Sequence, residues 1–235
     1  MAKIKVMSAG AVEAMVRALG GEFEKASGHA IDYVFNTAGS IRDRVKGGEP
    51  ADLVILPPAG IDVLEAAGLL APGSRTDLAR TVTGICVREG APVPDISTAD
   101  SFRQALLKAR TVGYTDPKAG GSGGNFFNGL LEKLGLADAV RQKAVFGNRG
   151  VEVAKAVAEG RAEIGTTFIS EILTVKGVTL VGPLPGALHN VNTYTAAILA
   201  GAPAQDVARA LLRALTDPAT APRWAAAGLE PAFLK

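Results

Sequence analysis

Short β-branched runs, each closed by a loop of small residues and followed by apolar positions at helical spacing, recur along this chain, the pattern of strands covered by helices in an α/β fold. The first repeat shows it in full. Ile4 to Met7 reads as a strand, Ser8-Ala9-Gly10 as a turn, and Val12, Met15, Val16, Leu19 and Phe23 share one helical face that stops near Ser27-Gly28. Ile31 to Phe35 predicts a second strand, Asn36 to Ser40 a second turn, and Ile41 to Val45 a short helix closed by Gly47-Gly48. Asp52 to Leu56 is a third strand, stopped by Pro57-Pro58 and followed by a helix from about Ile61 to Ala67.

After Pro72 the texture changes to the long β-prone run Thr81-Val82-Thr83-Gly84-Ile85-Cys86-Val87, which is expected to cross into a second lobe. There the pattern repeats. Strands are predicted at Val112 to Thr115, Lys143 to Phe146 and Glu163 to Phe168, alternating with helices near Ser101 to Ala109, Gly124 to Leu134 and Val151 to Glu159. Thr179 to Val181 adds a short strand, and Thr193 to Leu199 reads as a strand returning to the first lobe, where helices bearing Val207, Leu211, Leu215 and Trp224 pack. The expected division is residues 1–80 with 190–235 in one lobe and 81–189 in the other, with two crossing segments that make a hinge plausible.

A chain of 235 residues, 48% hydrophobic and 20% charged, is long and apolar enough to fill cores of this kind. Its 25 Lys and Arg are scattered among 23 Asp and Glu, so no basic stripe for nucleic acid forms. The single cysteine, Cys86, lies inside an apolar run and reads as a buried thiol, and two histidines with one cysteine make a zinc site of the usual ligand set improbable. No metal and no cofactor are expected. Neither the 7 to 15 apolar residues of a signal-peptide core nor the ~18 of a membrane span occur. As written the chain reads as cytoplasmic, and as periplasmic, with a membrane importer for partner, if a leader was trimmed.

In open parallel α/β sheets, ligands sit at the carboxyl ends of the strands, where helix N-termini present free N–H groups and partial positive charge. Five turns qualify here: Ser8-Ala9-Gly10, Thr37-Ala38-Gly39-Ser40, Gly120 to Gly124 with Gly121, Ser122 and Gly123 at its centre, Asn148-Arg149-Gly150, and Thr166-Thr167-Phe168. Small residues let backbone N–H groups approach an anion, and hydroxyls add donors without charge. Each turn alone also reads as an ordinary helix cap. Taken together, they point to a small anion as ligand.

The order of elements, with Pro50-Ala51-Asp52-Leu53-Val54-Ile55 after a Gly-Gly-ended helix, Asp116-Pro117 before a Gly-rich turn, and Gly160-Arg161-Ala162-Glu163-Ile164-Gly165 entering a strand, resembles the molybdate-binding family of bacterial solute-binding proteins over nearly the whole chain. The resemblance implies the type II periplasmic-binding-protein fold: two lobes, each a mostly parallel sheet flanked by helices, joined by two crossing segments, with an oxyanion held between them. This sequence departs from the family at the hydroxyl donors. The family's first serine falls at Gly10, its second near Ala38 or Gly39, and its tyrosine at Phe168. Each missing donor costs about 1 to 3 kcal/mol of oxyanion binding, unless Ser8, Thr37, Ser40 or Ser122 compensates. The ligand is therefore expected to differ from molybdate.

A carboxylate ligand favours Arg, whose planar fork pairs with it bidentately, and Arg149 is the best-placed candidate, while Arg42 and Arg44 read as surface residues. For acid-base chemistry the candidates are Asp116, Glu171, His189 and Glu13; Asp116 also reads as a turn residue and Glu171 as a first-turn carboxylate. His29 reads as structural. Two functions from different classes follow: a receptor that captures a small anion, or an isomerase on the same fold. The resemblance supports the second because the molybdate-binding-like group includes aconitate isomerases, whose reaction is a proton shift next to a double bond.

Overall fold

The computed structural model describes residues 1–234, which fall into two compact units: Met1–Arg80 with the segment from Asn192 onward, and Thr81–Val191. In chain order the elements are β1 (Lys3–Ala9), α1 (Glu13–Ser27), β2 (Ala30–Asn36), α2 (Ala38–Lys46), β3 (Leu53–Leu56), α3 (Pro58–Ala66) and β4 (Thr76–Arg88). Next come α4 (Ala99–Lys108), β5 (Val112–Thr115), α5 (Ser122–Lys133), α6 (Ala137–Arg141), β6 (Ala144–Gly147), α7 (Gly150–Ala158), β7 (Ile164–Phe168), α8 (Ile169–Ile172) and β8 (Val178–Pro183). The chain closes with β9 (Val191–Ile198), α9 (Gln205–Leu215), α10 (Ala221–Ala226) and β10 (Glu230–Pro231). β4 and β9 carry the chain from one unit to the other.

The first unit has β1 at the centre of a parallel trio, paired with β2 on one side and β3 on the other, and β9 runs antiparallel to β3. β1 and β3 bury their apolar side chains almost entirely, Ile4, Val6 and Met7 from one and Leu53 to Leu56 from the other. Helix α1 contributes Met15, Val16 and Leu19, ends at Gly28 with φ +72°, a left-handed cap that glycine adopts without strain, and packs against α9. On α9 the buried face is Ala208, Leu211, Leu212 and Leu215, with Val207 half-buried, so the stripe is rotated from the one expected. Trp224 is fully buried, and its indole N–H donates to the Leu215 carbonyl at 3.1 Å, which ties α10 to the end of α9.

Asp52 is buried at the entry to β3, where its carboxylate accepts from the Lys5 N–H at 2.8 Å and the Ala204 N–H at 3.2 Å. It ties β1 to the segment before α9. His29 accepts at Nδ1 from the Ala2 N–H and stacks on Phe23, a structural placement.

The second unit repeats the arrangement, with β5 between β6 and β7 in parallel and β4 antiparallel to β7. Tyr114 from β5, Phe102 and Leu106 from α4, Phe127 and Leu131 from α5, and Val140 from α6 form its core. Cys86 lies in a smaller cluster with Val157 and Ile172, and burial pushes its thiol up to about 12, partly offset by a hydrogen bond from the Gly165 backbone. It is a packing residue.

Several helices begin earlier than periodicity predicts. Ala38 to Ser40, Ser122 and Gly123, and Gly150 are first-turn residues of α2, α5 and α7, not loop residues. Likewise Pro58 starts α3, because a missing N–H costs nothing in the first turn of a helix. The five-residue α6 lacks enough turns to show a period and escapes the sequence pattern.

Candidate functional site

In the first unit the carboxyl end of β1 passes directly into a 3-10 turn, Gly10–Val12, and then α1. Ser8 is fully buried and its Oγ donates to the Ala9 carbonyl at 2.9 Å. At the end of β2, Asn36 Oδ1 accepts from the Thr37 N–H at 2.8 Å, and the buried Thr37 caps α2 by accepting from the Ser40 N–H at 3.3 Å. Both hydroxyls thus serve local backbone. Ala38, Gly39 and Ser40 form the first turn of α2, whose leading N–H groups have no intrahelical acceptor.

Several cations of this unit are paired with carboxylates. Arg42 pairs with Asp43, and Arg44 pairs with Glu49, which Lys5 also contacts at 2.7 Å; these partners, Arg44 first, hold the Glu49 carboxyl down at about 2. Glu13 opens α1 and accepts from Arg17 Nε at 2.9 Å, while the Arg17 guanidinium lies over the Phe35 and Tyr33 rings at 4.6 and 5.2 Å.

In the second unit Asp116 follows β5, and its Oδ1 accepts from the Lys118 N–H at 2.9 Å, capping the turn Pro117–Ala119. This is the turn geometry expected of Asp-Pro. Gly121 caps α5 without a side-chain bond, followed by Ser122, Gly123 and Gly124. A Cβ on Gly124 would lie 2.5 Å from the Thr115 carbonyl oxygen, and one on Gly123 would lie 3.1 Å from the Phe168 ring. Glycine is what lets α5 start directly against the ends of β5 and β7.

The other turn of this unit is built around a carboxylate. Asn148 is exposed and its N–H donates to Glu152, and Arg149 is the half-buried N-cap of α7. Gly150 opens the helix. A Cβ there would lie within 2.0 Å of both Glu171 Oε2 and Thr167 Oγ1, at 1.9 and 2.0 Å. Thr167 Oγ1 donates to Glu171 Oε2 at 2.7 Å, and both residues are buried. Glu171 stands in the first turn of α8, as predicted, with its carboxylate against the N-terminus of α7.

Thr166 and Ser170 are buried nearby in sequence, and their hydroxyl oxygens have no protein hydrogen-bond partner among the described residues. His189 is exposed and follows the turn Gly186–Leu188. The structure therefore brings Thr167 and Glu171 against Gly150, the residue after Arg149, while His189 lies on an exposed turn and Asp116 serves its own loop. Sequence reasoning missed the Gly150–Thr167–Glu171 association. The four-residue spacing of Thr167 and Glu171 was its only local sign.

A sequence profile of bacterial extracellular solute-binding proteins matches residues 4–230. The chain belongs to that family. The chain is 32% identical to an aconitate isomerase from a Pseudomonas species, over 97% of this chain and 87% of that protein. It is 26% identical to the molybdate-binding protein ModA of Azotobacter vinelandii, over 92% and 85% of the two chains. The solved structure of the Azotobacter vinelandii periplasmic molybdate-binding protein superimposes with a TM-score of 0.76 at 19% identity, covering 96% of this chain and 98% of that one. This solute-binding protein has the type II periplasmic-binding-protein fold, two α/β units joined by two crossing strands. No helix among the described residues is long and apolar enough to cross a membrane.

Proposed function

We propose that the protein binds a small organic anion bearing carboxylates, with main-chain N–H groups at its strand-to-helix turns as the principal donors. The carrying observation is the fate of the hydroxyls. Ser8 donates to its neighbour's carbonyl, and position 168 is phenylalanine. A metal oxyanion that relies on such donors is poorly served, whereas the small-residue starts of α2 and α5 offer helix N–H groups to a carboxylate. In a transport setting the partner is a membrane importer, in keeping with the extracellular description of the family.

Thermal unfolding against molybdate, tungstate, sulfate, citrate, cis- and trans-aconitate and simple dicarboxylates tests this reading, since a ligand at 100 times its Kd adds about 2.7 kcal/mol to folding. A polycarboxylate is expected to raise Tm and the inorganic oxyanions to leave it unchanged. Strong stabilisation by molybdate or tungstate alone overturns the proposal.

A second reading, isomerisation of an unsaturated tricarboxylate, is favoured by the 32% identity to an aconitate isomerase together with the buried Glu171 carboxylate. In that reaction Glu171 removes a proton from the carbon next to the double bond and returns it at the far end of the allylic system, while Arg149 holds a substrate carboxylate. Incubation with cis- or trans-aconitate and chromatographic assay of the other isomer checks it; a wild-type protein that binds both and interconverts neither is a receptor.

A further inference from the structure

The second unit holds a cavity that the carboxylate reading leaves unused. Its volume is about 480 Å³, within the range of small-molecule sites, and it forms where the turn after β5 meets the end of α6 and β6. Its apolar side is Tyr114, Pro117 and Phe146. Phe146 is 47% exposed although it stands on a strand, and its ring lies edge-on to Tyr114 at 5.0 Å. Tyr114 is only 1% exposed and belongs to the core, yet its hydroxyl has no hydrogen-bond partner among the described residues. A buried tyrosine ordinarily gives its hydroxyl a partner, because a dry, unpaired O–H is costly. Burial pushes this hydroxyl up, Arg141 pulls it down and Asp116 pushes it up again, so it keeps its proton at neutral pH and lies within electrostatic reach of both charged neighbours. Both of them line the same cavity.

The charges around the cavity favour an anion. Lys118 and Arg141 face the single carboxylate of Asp116, which already commits Oδ1 to the Lys118 N–H at 2.9 Å. Lys118 has no ion pair among the described residues, and Arg141 meets Asp138 only at 3.8 Å with both side chains exposed, so neither cation is firmly engaged. A flat apolar group laid on Phe146 and Pro117 covers surface now open to water, and a carboxylate beside it pairs with the Arg141 fork. We propose that this cavity is a further binding site, for a small aromatic carboxylate: its ring packs on Phe146 and Pro117, its carboxylate takes Arg141 and the Tyr114 hydroxyl, and Lys118 adds charge. The site uses side chains, not the main-chain N–H groups of the reading above, and is independent of it.

Benzoate, benzyl alcohol and benzylamine, which share a ring and differ in charge, test the idea when titrated into the full chain and followed by calorimetry and amide NMR shifts. Benzoate is expected to bind saturably, to shift Lys118, Arg141 and Phe146, and to bind at least about tenfold tighter than the other two. Arg141→Gln, at an exposed position, is expected to weaken benzoate about tenfold or more, and Tyr114→Phe, which keeps the packed ring, about three- to tenfold. Excess citrate is expected to leave benzoate bound. The absence of saturable benzoate binding overturns the inference, as do equal binding of all three compounds, a preference for benzylamine, or an affinity for benzoate that neither variant changes. Benzoate that citrate displaces and that Arg141→Gln leaves unaffected lies at the helix starts, which overturns this inference and leaves the carboxylate reading standing. If Tyr114→Phe folds poorly, Arg141→Gln decides alone.

Discussion

The two units repeat one topology, a parallel trio with the first strand in the middle, yet they furnish their strand ends differently. In the first unit Ser8 donates its hydroxyl to the Ala9 carbonyl and Thr37 accepts the Ser40 N–H, so both side chains engage neighbouring main-chain groups at the strand ends. The second unit places a carboxylate and a hydroxyl against one glycine at the start of α7. A shared scaffold therefore carries small-residue helix starts in one unit and a buried carboxylate against a helix start in the other. Side-chain deletions are expected to matter little in the first and greatly in the second.

The largest expected effect is at Gly150. Gly150→Val drives its side chain into Glu171 and Thr167, and overpacking of this kind costs about 1 to 3 kcal/mol of stability, read by denaturant unfolding. A ligand that uses the start of α7 is expected to bind about tenfold or more weakly by calorimetry, since that turn is displaced. Unchanged affinity in a folded Gly150→Val breaks the contrast between the units.

Next comes Thr167→Val, nearly isosteric but without the donor to Glu171. A buried carboxyl oxygen left without its donor predicts a cost of about 1 to 3 kcal/mol, visible in Tm, with a smaller loss of affinity than at Gly150.

In the first unit, Ser8→Ala and Thr37→Ala are expected to cost about 0.5 to 1 kcal/mol each, the worth of a local hydrogen bond and of a helix cap, and to change affinity by less than about threefold. A tenfold loss of binding in Ser8→Ala shows that its hydroxyl turns to the ligand, and erases the difference between the two ends.

The smallest effect is in the acid range. Arg44 and Lys5 hold Glu49 at about 2, against an ordinary 4.5, so its pairing stabilises the fold above pH 4.5 and is lost as pH falls toward 2. Glu49→Gln is expected to flatten the dependence of Tm on pH over that window slightly, because all three partners are solvent-accessible.

Much of the architecture was legible in the chain because it rests on local signals. The β-branched runs at Ile4, Leu53 and Ile164 alternate with helical stripes, and glycines such as Gly28 mark where helices end. These periodicities reflect one side of an element meeting a core, which composition alone can record. Helix starts were placed late because the first turn of α2, α5 and α7 is small or polar, and a stripe of apolar residues begins only after it. Asp52 stands in a sequence motif whose reason is tertiary: its carboxylate accepts N–H groups from residues 47 and 152 positions away.

The site divides along the same line. The sequence by itself determined that small residues lead each helix, that three hydroxyls are absent where the resemblance expects them, and that Arg149 and Glu171 stand next to strand ends. Only the tertiary structure decided which hydroxyls turn onto the backbone and that the Glu171 carboxylate lies against Gly150, twenty-one residues earlier in the chain. The reason is physical: capping and periodicity act within a few residues, whereas the approach of a carboxylate to a helix start depends on how β7 and α8 pack against α7, a distance that no local pattern encodes.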